Sequence, residues 1–203
     1  MEQLVLAVTE AVKNAGLVQV EVSARHVHLS EQDFEVLFGQ GKTLTPKREL
    51  SQIGQYLSEE RVTLIGPKGE KKNVAVLGPL RKDTQIELSK SDCVMLGINA
   101  PVRESGDIKG SAPITIVGPV GTLQLDEGVI IAHKHVHVPE KVAKELGYQD
   151  KERVSVELFT ERPVIYKDVI LRVSDKFRFR MHIDFDEANA AGVSGFTLGK
   201  IIK

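Results

Sequence analysis

Cysteine is nearly absent: Cys93 stands alone, so no disulfide can form within the chain, and an oxidising compartment is not implied. Long apolar runs are missing as well. No stretch approaches the ~18 residues that a membrane-spanning helix needs, and the first residues lack the basic-then-apolar pattern of a secretory signal. Neither sign of charge predominates; the formal net charge is −1, which gives no general attraction for nucleic acid or for an anionic membrane. What is left is ordinary globular composition, 41% hydrophobic and 27% charged over 203 residues. That is enough for one large domain or two small ones with a real core. The chain reads as soluble and cytoplasmic, with no nucleic-acid or membrane partner.

Histidine is scarce too, and its placement is the most informative feature present. Four of the six histidines form two pairs, His26-Val27-His28 and His135-Val136-His137. Each pair follows a β-branched run, residues 18–22 before the first and 129–131 before the second. Successive strand side chains point to opposite faces, so residues i and i+2 share one face. An HxH pair on a strand therefore aims two imidazoles at one point, a spacing that suits a shared metal ion. A lone pair is more commonly a solvated strand face; two copies in matching contexts point to metal.

Residues 2–16 carry Leu4, Val5, Val8, Val12 and Ala15 at helical spacing and end at Gly16, which predicts an N-terminal helix. Beyond it lie short β-rich runs at 61–65, 73–77, 84–88, 114–117, 120–125, 129–132, 153–158, 164–173 and 177–185. Gly66-Pro67, Gly78-Pro79 and Gly118-Pro119 punctuate them as turns. The pattern predicts a mainly β fold of barrels or sandwiches with short helices, not a parallel α/β sheet.

The histidine pairs also mark an internal repeat of strand, HxH, short helix and Gly, with an offset of 109 residues from His26 to His135. Ser30 suits a helix N-cap and Gly39 a stop after the first pair; Pro139 suits a first helical position and Gly147 a stop after the second. The expected organisation is an N-terminal helix over 1–17, a first β-barrel domain over 18–105 and a second over 106–203. Strands could be exchanged between the two, and each domain would bring one HxH pair to an active site at their interface.

Three further residues could carry chemistry. In the run 177–185, Phe177, Phe179, Met181, Ile183 and Phe185 alternate with Arg178, Arg180, His182 and Asp184, which puts His182 on the polar face as a third imidazole or a surface histidine. In 84–88, Ile86 and Leu88 share an inward face, so Glu87 lies on the other. It could complete a His2Glu metal site with an open fourth position, the arrangement of catalytic zinc, or be an exposed strand glutamate. Arg81, after the Gly78-Pro79 turn, could clamp an oxyanion such as phosphate or be solvated. Cys93 reads as a small apolar residue.

Taken in order, these motifs resemble a known family. They are His26-x-His28, Gly78-Pro79-Leu80-Arg81 with Glu87, His135-x-His137, and Met181-His182-Ile183-Asp184 with Asp186-Glu187-Ala188-Asn189-Ala190. From about residue 18 to the C-terminus the chain resembles the PduL-type phosphate acyltransferases, the phosphate propanoyltransferase family. Leu50-Ser51-Gln52, Gly97-Ile98-Asn99-Ala100-Pro101-Val102-Arg103 and Ser105-Gly106-Asp107 also look like that family.

The resemblance implies two β-barrel domains with a two-metal site between them, moving a propanoyl or acetyl group between coenzyme A and phosphate. Position by position, it implies that His26, His28 and Glu87 hold the metal nearer the coenzyme A sulfur. His135, His137 and His182 would hold the second metal, and Arg81 would bind phosphate. Val22, Ser23, Ala24, Lys71 and Asn189 would touch coenzyme A. Of divalent ions, Zn2+ suits these donors and a leaving thiolate, with Co2+ or Fe2+ as alternatives. The implied partners are coenzyme A, phosphate and a short-chain acyl phosphate, and a homo-oligomer stays open.

Two features depart from the family pattern. His133 extends the second motif to His-x-His-x-His, and strand parity puts it on the face of His135 and His137; the offset from the first motif favours the latter two. Residues 2–16 lead almost directly into the strand at 18–22, without the helix-plus-linker leader of microcompartment-targeted members. That favours the cytoplasm over a microcompartment lumen. Two other functional classes compete: a metal-dependent hydrolase, in which water replaces phosphate, and a structural metal-binding β module. The HxHxDH pattern of metallo-β-lactamases is absent, since Leu29-Ser30 follows His28. A closed structural site would use four protein ligands per metal, whereas this inventory offers three.

Overall fold

The computed structural model describes residues 2–203, with the side chains at 2, 3, 5, 6, 8 and 9 outside the description. Val5 and Val8 of the expected helical stripe therefore lie outside it; of the rest, Leu4 is exposed and Val12 half-buried. The elements begin with α1 (Glu2–Asn14), β1 (Leu17–Val22), β2 (His26–His28), α2 (Glu31–Phe38), β3 (Pro46–Glu49), β4 (Tyr56–Gly66), β5 (Gly69–Gly78), β6 (Gln85–Glu87) and α3 (Lys90–Leu96). They continue with β7 (Val102–Arg103), β8 (Ala112–Val117), β9 (Thr122–Ala132), β10 (His135–Val138), α4 (Glu140–Leu146), β11 (Arg153–Leu158), β12 (Val164–Val173), β13 (Arg180–Ile183), α5 (Phe185–Ala191) and β14 (Thr197–Ile202). Among the described residues no helix is long and apolar enough to cross a membrane.

The chain divides into two compact units, one formed by the segment up to Ser23 with Lys134–Lys203, the other by Ala24–His133. The first is a closed barrel in the order β1-β13-β10-β12-β11-β14, with β14 pairing back onto β1. Its interior takes one residue in two along each strand: Val18 and Val20, Val136 and Val138, Val154 and Val156, Val169 and Leu171, Met181 and Ile183, as the strand period requires. The second unit is also a closed ring, β4-β5-β2-β6-β9-β8 and back to β4. Strand β3 is added at β4 and β7 at β9. Val27, Val62, Leu64, Val74, Val76, Ile86 and Ile116 fill this barrel, and the two helices add Phe34, Leu37, Cys93 and Leu96.

The strand orders coincide when β2 is matched with β10, β4 with β11, β5 with β12, β6 with β13, β8 with β14 and β9 with β1. Each HxH strand lies between a parallel neighbour, β5 or β12, and an antiparallel one, β6 or β13. The repeat includes one rearrangement. The strand preceding each HxH pair closes the other repeat's barrel: β1 pairs with β13 and β14, and β9 with β6 and β8. The boundary expected near 105–106 is displaced for that reason. Strands β8 and β9 complete the barrel containing β2, so that unit continues to His133, and residues 18–23 belong with the C-terminal strands.

Local chemistry moves other boundaries. The runs 120–125 and 129–132 are one strand, β9, which bends through Gly128 at φ 138°. The expected strand at 177–185 shortens to Arg180–Ile183 because Asp184 and Glu187 form a reciprocal capping box that starts α5 at Phe185, the strongest local signal for a helix start. Pro139 is the N-cap of α4, one place earlier than expected. Strands β3, β7 and β14 and helices α3 and α5 are additional to the elements expected.

Candidate metal centres

The first centre is built on β2, a three-residue strand with its middle side chain, Val27, fully buried in the barrel core. Strand alternation then puts His26 and His28 together on the other face, and both are buried. Barrel register supplies a third group, because His26 lies directly opposite Glu87 on β6. One ligand atom from each of His26, His28 and Glu87 lies within 4.8 Å of the others. His26 Nδ1 donates to the Ala24 carbonyl at 2.8 Å, which leaves Nε2 as the lone-pair nitrogen, 3.5 Å from Glu87 Oε2. A second hydrogen bond of this kind fixes ring orientation and tautomer at metal-binding histidines. His28 Nδ1 is buried with no hydrogen-bond partner among the described residues. Burial above all, then the charges of His26 and Arg81, hold His28 well below the ordinary imidazole pKa, against a smaller opposing bond to the Leu77 backbone. The ring is thus neutral at physiological pH, the form that ligates a cation. An orphaned buried nitrogen, a preset tautomer and a carboxylate together fit a divalent metal.

The second centre repeats this plan on β10 and β13. Val136 and Met181 point into the core, and His135 lies directly opposite His182. The ring centroids of His135, His137 and His182 are 4.6, 5.2 and 4.7 Å apart. His137 and His182 are buried. Burial first, then His135, His182 and Arg172, push the His137 pKa far down. Glu21 on β1 lies alongside His182, its Oε2 4.0 Å from Nδ1, and receives Arg180 Nε at 3.2 Å on its other oxygen. Phe177 stacks on His137 at 3.9 Å. The alternation in 177–185 assigns Phe177 to the inward face instead; a turn before Arg180 interrupts the strand, so parity does not extend back to it.

Arg81 sits in the β5–β6 connection of the first centre's own barrel. Its backbone N–H donates to Leu29 O at 2.8 Å, and its guanidinium reaches Ser105 Oγ at 3.3 Å. The residues implied as coenzyme A contacts fall on both units. Val22, Ser23 and Asn189 belong with the C-terminal barrel, Ala24 and Lys71 with the other. Val22, Ala24 and Asn189 are exposed and Ser23 half-buried. Lys71 Nζ pairs with Asp92 at 3.2 Å. His133 is separated from the second pair by the fold: β9 ends at Ala132, His133 N bonds Arg103 O, and His135 begins a strand of the other unit. Parity cannot be carried across that break, so His133 does not share a strand face with His135 and His137.

Four residues around these centres are missed by the sequence reading: Gln85, Ser105, Glu21 and Phe177. Gln85 has a usable signal, since it stands two residues before Glu87 and therefore on the same face. The others depend on register or on loop conformation.

Comparison with known proteins gives a consistent result. A family model described as phosphate propanoyltransferase matches residues 19–194. A curated relative from Clostridioides difficile (strain 630), named phosphate propanoyltransferase, is 47% identical over 203 residues, covering 100% of this chain and 97% of the relative. One of the same name from Thermotoga maritima is 50% identical over 180 residues, covering 88% and 85%. Another from Listeria monocytogenes is 44% identical over 205 residues, covering 99% and 96%.

Proposed function

The chain belongs to the phosphate propanoyltransferase family and is an acyltransferase, and from that premise we propose that it moves a short acyl group, propanoyl or acetyl, between coenzyme A and inorganic phosphate with two divalent metal ions bound. The observation that carries the metal dependence is the triad of His26, His28 and Glu87, whose donor atoms converge within 4.8 Å. We read His135, His137 and His182, on the matching strands with ring centroids 4.6 to 5.2 Å apart, as its counterpart. Three protein donors leave a coordination position open for substrate. Family membership favours acyl transfer over a hydrolase or a structural metal module.

A divalent ion in these centres, Zn2+ before Co2+ or Fe2+, would supply Lewis acidity toward a thiolate at the first triad and toward phosphate oxygen at the second. The remaining work falls to the chain. Burial keeps His28 and His137 neutral, and the Ala24 carbonyl holds His26 in one tautomer. Arg81 would bind phosphate through two parallel N–H bonds and neutralise part of its charge. A phosphate oxygen then attacks the thioester carbonyl, a C–O bond replaces the C–S bond, and sulfur leaves with the electron pair as thiolate. No side-chain nucleophile is required, and Cys93 is buried in the core. Val22, Ser23, Ala24, Lys71 and Asn189 are the proposed coenzyme A contacts. The proposed location is the cytoplasm, with a microcompartment lumen as the alternative.

The test is an assay of acyl phosphate plus coenzyme A, following thioester formation with acetyl and propanoyl substrates in parallel. The expected result is reversible thioester formation that is lost on chelation and restored by Zn2+. Failure of the metal-replete protein with acetyl, propanoyl and butanoyl phosphate would overturn the reading.

A further inference from the structure

We propose that Gln85 is a positioning residue that joins the first metal centre to the phosphate-binding arginine through Ser105. This rests on the functional reading above, in which Glu87 is a metal ligand and Arg81 binds phosphate.

Gln85 is a buried amide on β6, directly opposite His28, and it shares the face of Glu87 by strand parity. Its orientation is fixed by its partners. Oε1 accepts from the Gly106 backbone N–H at 2.6 Å. Nε2 therefore faces the acceptors, donating to Glu87 Oε1 at 2.7 Å and to Ser105 Oγ at 2.8 Å. Both amide hydrogens and the carbonyl oxygen are used, so the side chain has one arrangement rather than several. Ser105 Oγ in turn accepts from Arg81 Nη1 at 3.3 Å. One chain of bonds thus runs Glu87, Gln85, Ser105, Arg81.

Two consequences follow for the centre. Gln85 bonds Oε1 of Glu87, and it is the other oxygen, Oε2, that lies 3.5 Å from His26 Nε2. Ser105 holds the Arg81 guanidinium relative to that same carboxylate, and a planar fork must be held in orientation to bind phosphate through two bonds.

The other barrel offers a partial parallel. The residue opposite the second histidine there is Arg180, facing His137. It also bonds a carboxylate beside the third donor: Nε to Glu21 Oε1 at 3.2 Å, with Glu21 Oε2 4.0 Å from His182 Nδ1. The matched positions thus each bond a carboxylate at their centre, Glu87 itself in one barrel and Glu21 beside His182 in the other.

The two limbs are tested separately. Chelator competition in a His182→Ala background reads the first metal alone, with no turnover needed. Gln85→Met, similar in length and without hydrogen-bonding groups, is expected to weaken that metal about tenfold or more, as loss of a ligand's outer partner does. Ser105→Ala is expected to leave it unchanged. In the otherwise wild-type enzyme, Ser105→Ala should raise the KM for phosphate roughly three- to tenfold, the value of one hydrogen bond, with the KM for coenzyme A unchanged. Ser105→Thr should restore it, and adding Ser105→Ala to Gln85→Met should raise the phosphate KM no further. Wild-type metal affinity in Gln85→Met, or wild-type phosphate KM in Ser105→Ala, overturns the proposal. A parent protein that binds metal but makes no thioester overturns the functional reading instead, and the competition experiment still decides the Gln85–Glu87 limb.

Discussion

Glu87 stands directly across the antiparallel β2–β6 pair from His26, with its Oε2 3.5 Å from His26 Nε2. His182 stands across β10–β13 from His135 in the same relation. Opposed residues on neighbouring antiparallel strands hold their Cβ atoms about 4.5–5.5 Å apart, closer than two residues i and i+2 on one strand. An HxH pair plus the residue opposite its first histidine therefore makes a compact triangle of donors. The barrel register, not a loop, sets its dimensions.

The two triangles share no residue, so each ion should be removable alone. Glu87→Ala should lose or weaken only the metal of the first triad, and His182→Ala only that of the second. Elemental analysis of the two purified variants, with one and two equivalents as the readout, checks this. Loss of the same equivalent from both, or of none, would show the ligand sets to be wrong.

The histidine pairs are legible in the sequence because parity is local: Val27 and Val136 must turn inward, and the flanking imidazoles then share a face. Which residue completes each pair is less so, since that depends on register between strands far apart in the chain. Alternation places Glu87 and His182 on polar faces but does not choose which pair each joins. Strand exchange is an open possibility from the sequence, but that β1 and β9 are the strands exchanged is illegible for a related reason. Val18 and Val20 fit the inside of either barrel, and only the closed ring decides between them. All four residues of β3 are exposed, so no apolar alternation marks it. The pattern at 177–185 misleads because it is genuine at 180–183 and accidental on either side, where a turn and the Asp184 cap take over.

Asp92 should contribute to the acid sensitivity of the fold. Burial alone would raise its pKa, but Arg25 at 2.7 Å and Lys71 at 3.2 Å outweigh that and hold the carboxyl below its ordinary value of 3.8. A depressed native pKa means that the stabilisation is fully present above the unfolded value and is lost as pH falls through the native one. Asp92→Asn should cost about 1.5–3 kcal/mol at pH 7, the range for hydrogen bonds to a charged group. The gap between wild type and variant should close as the pH drops below about 3.8. Thermal melts of both proteins across that range measure it, and a gap that persists unchanged would remove the charge from the explanation.

Two Gly-Pro turns press on helix ends in one and the same way. A Cβ on Gly66 would lie 2.3 Å from Leu96 O, and one on Gly118 2.4 Å from Leu37 O. Two residues further on, Lys68 N–H and Val120 N–H cap those same carbonyls at 3.0 and 3.1 Å. Gly66→Ala and Gly118→Ala should therefore each lower stability by about 1–3 kcal/mol, the cost of overpacking. Lys42→Ala, at an exposed position, should stay within about 0.5 kcal/mol. Denaturant unfolding of the three variants makes the comparison, and parity among them would mean the turns yield freely.

Replacement of Arg81 by lysine should be far from conservative. A guanidinium makes two parallel hydrogen bonds to one phosphate, whereas an ammonium acts as a mobile point charge. In this chain the backbone of Arg81 is anchored by its N–H to Leu29 O, and its guanidinium reaches Ser105 Oγ at 3.3 Å. Lysine would keep the charge and lose the fork. Arg81→Lys should then raise the KM for phosphate or slow the chemical step while both metals stay bound, which separates it from Glu87→Ala and His182→Ala. Arg178→Lys, at an exposed position before β13, is the control for loss of a guanidinium as such. If Arg81→Lys retains full activity at limiting phosphate, with the control equally active, phosphate is bound elsewhere and Arg81 is a surface residue.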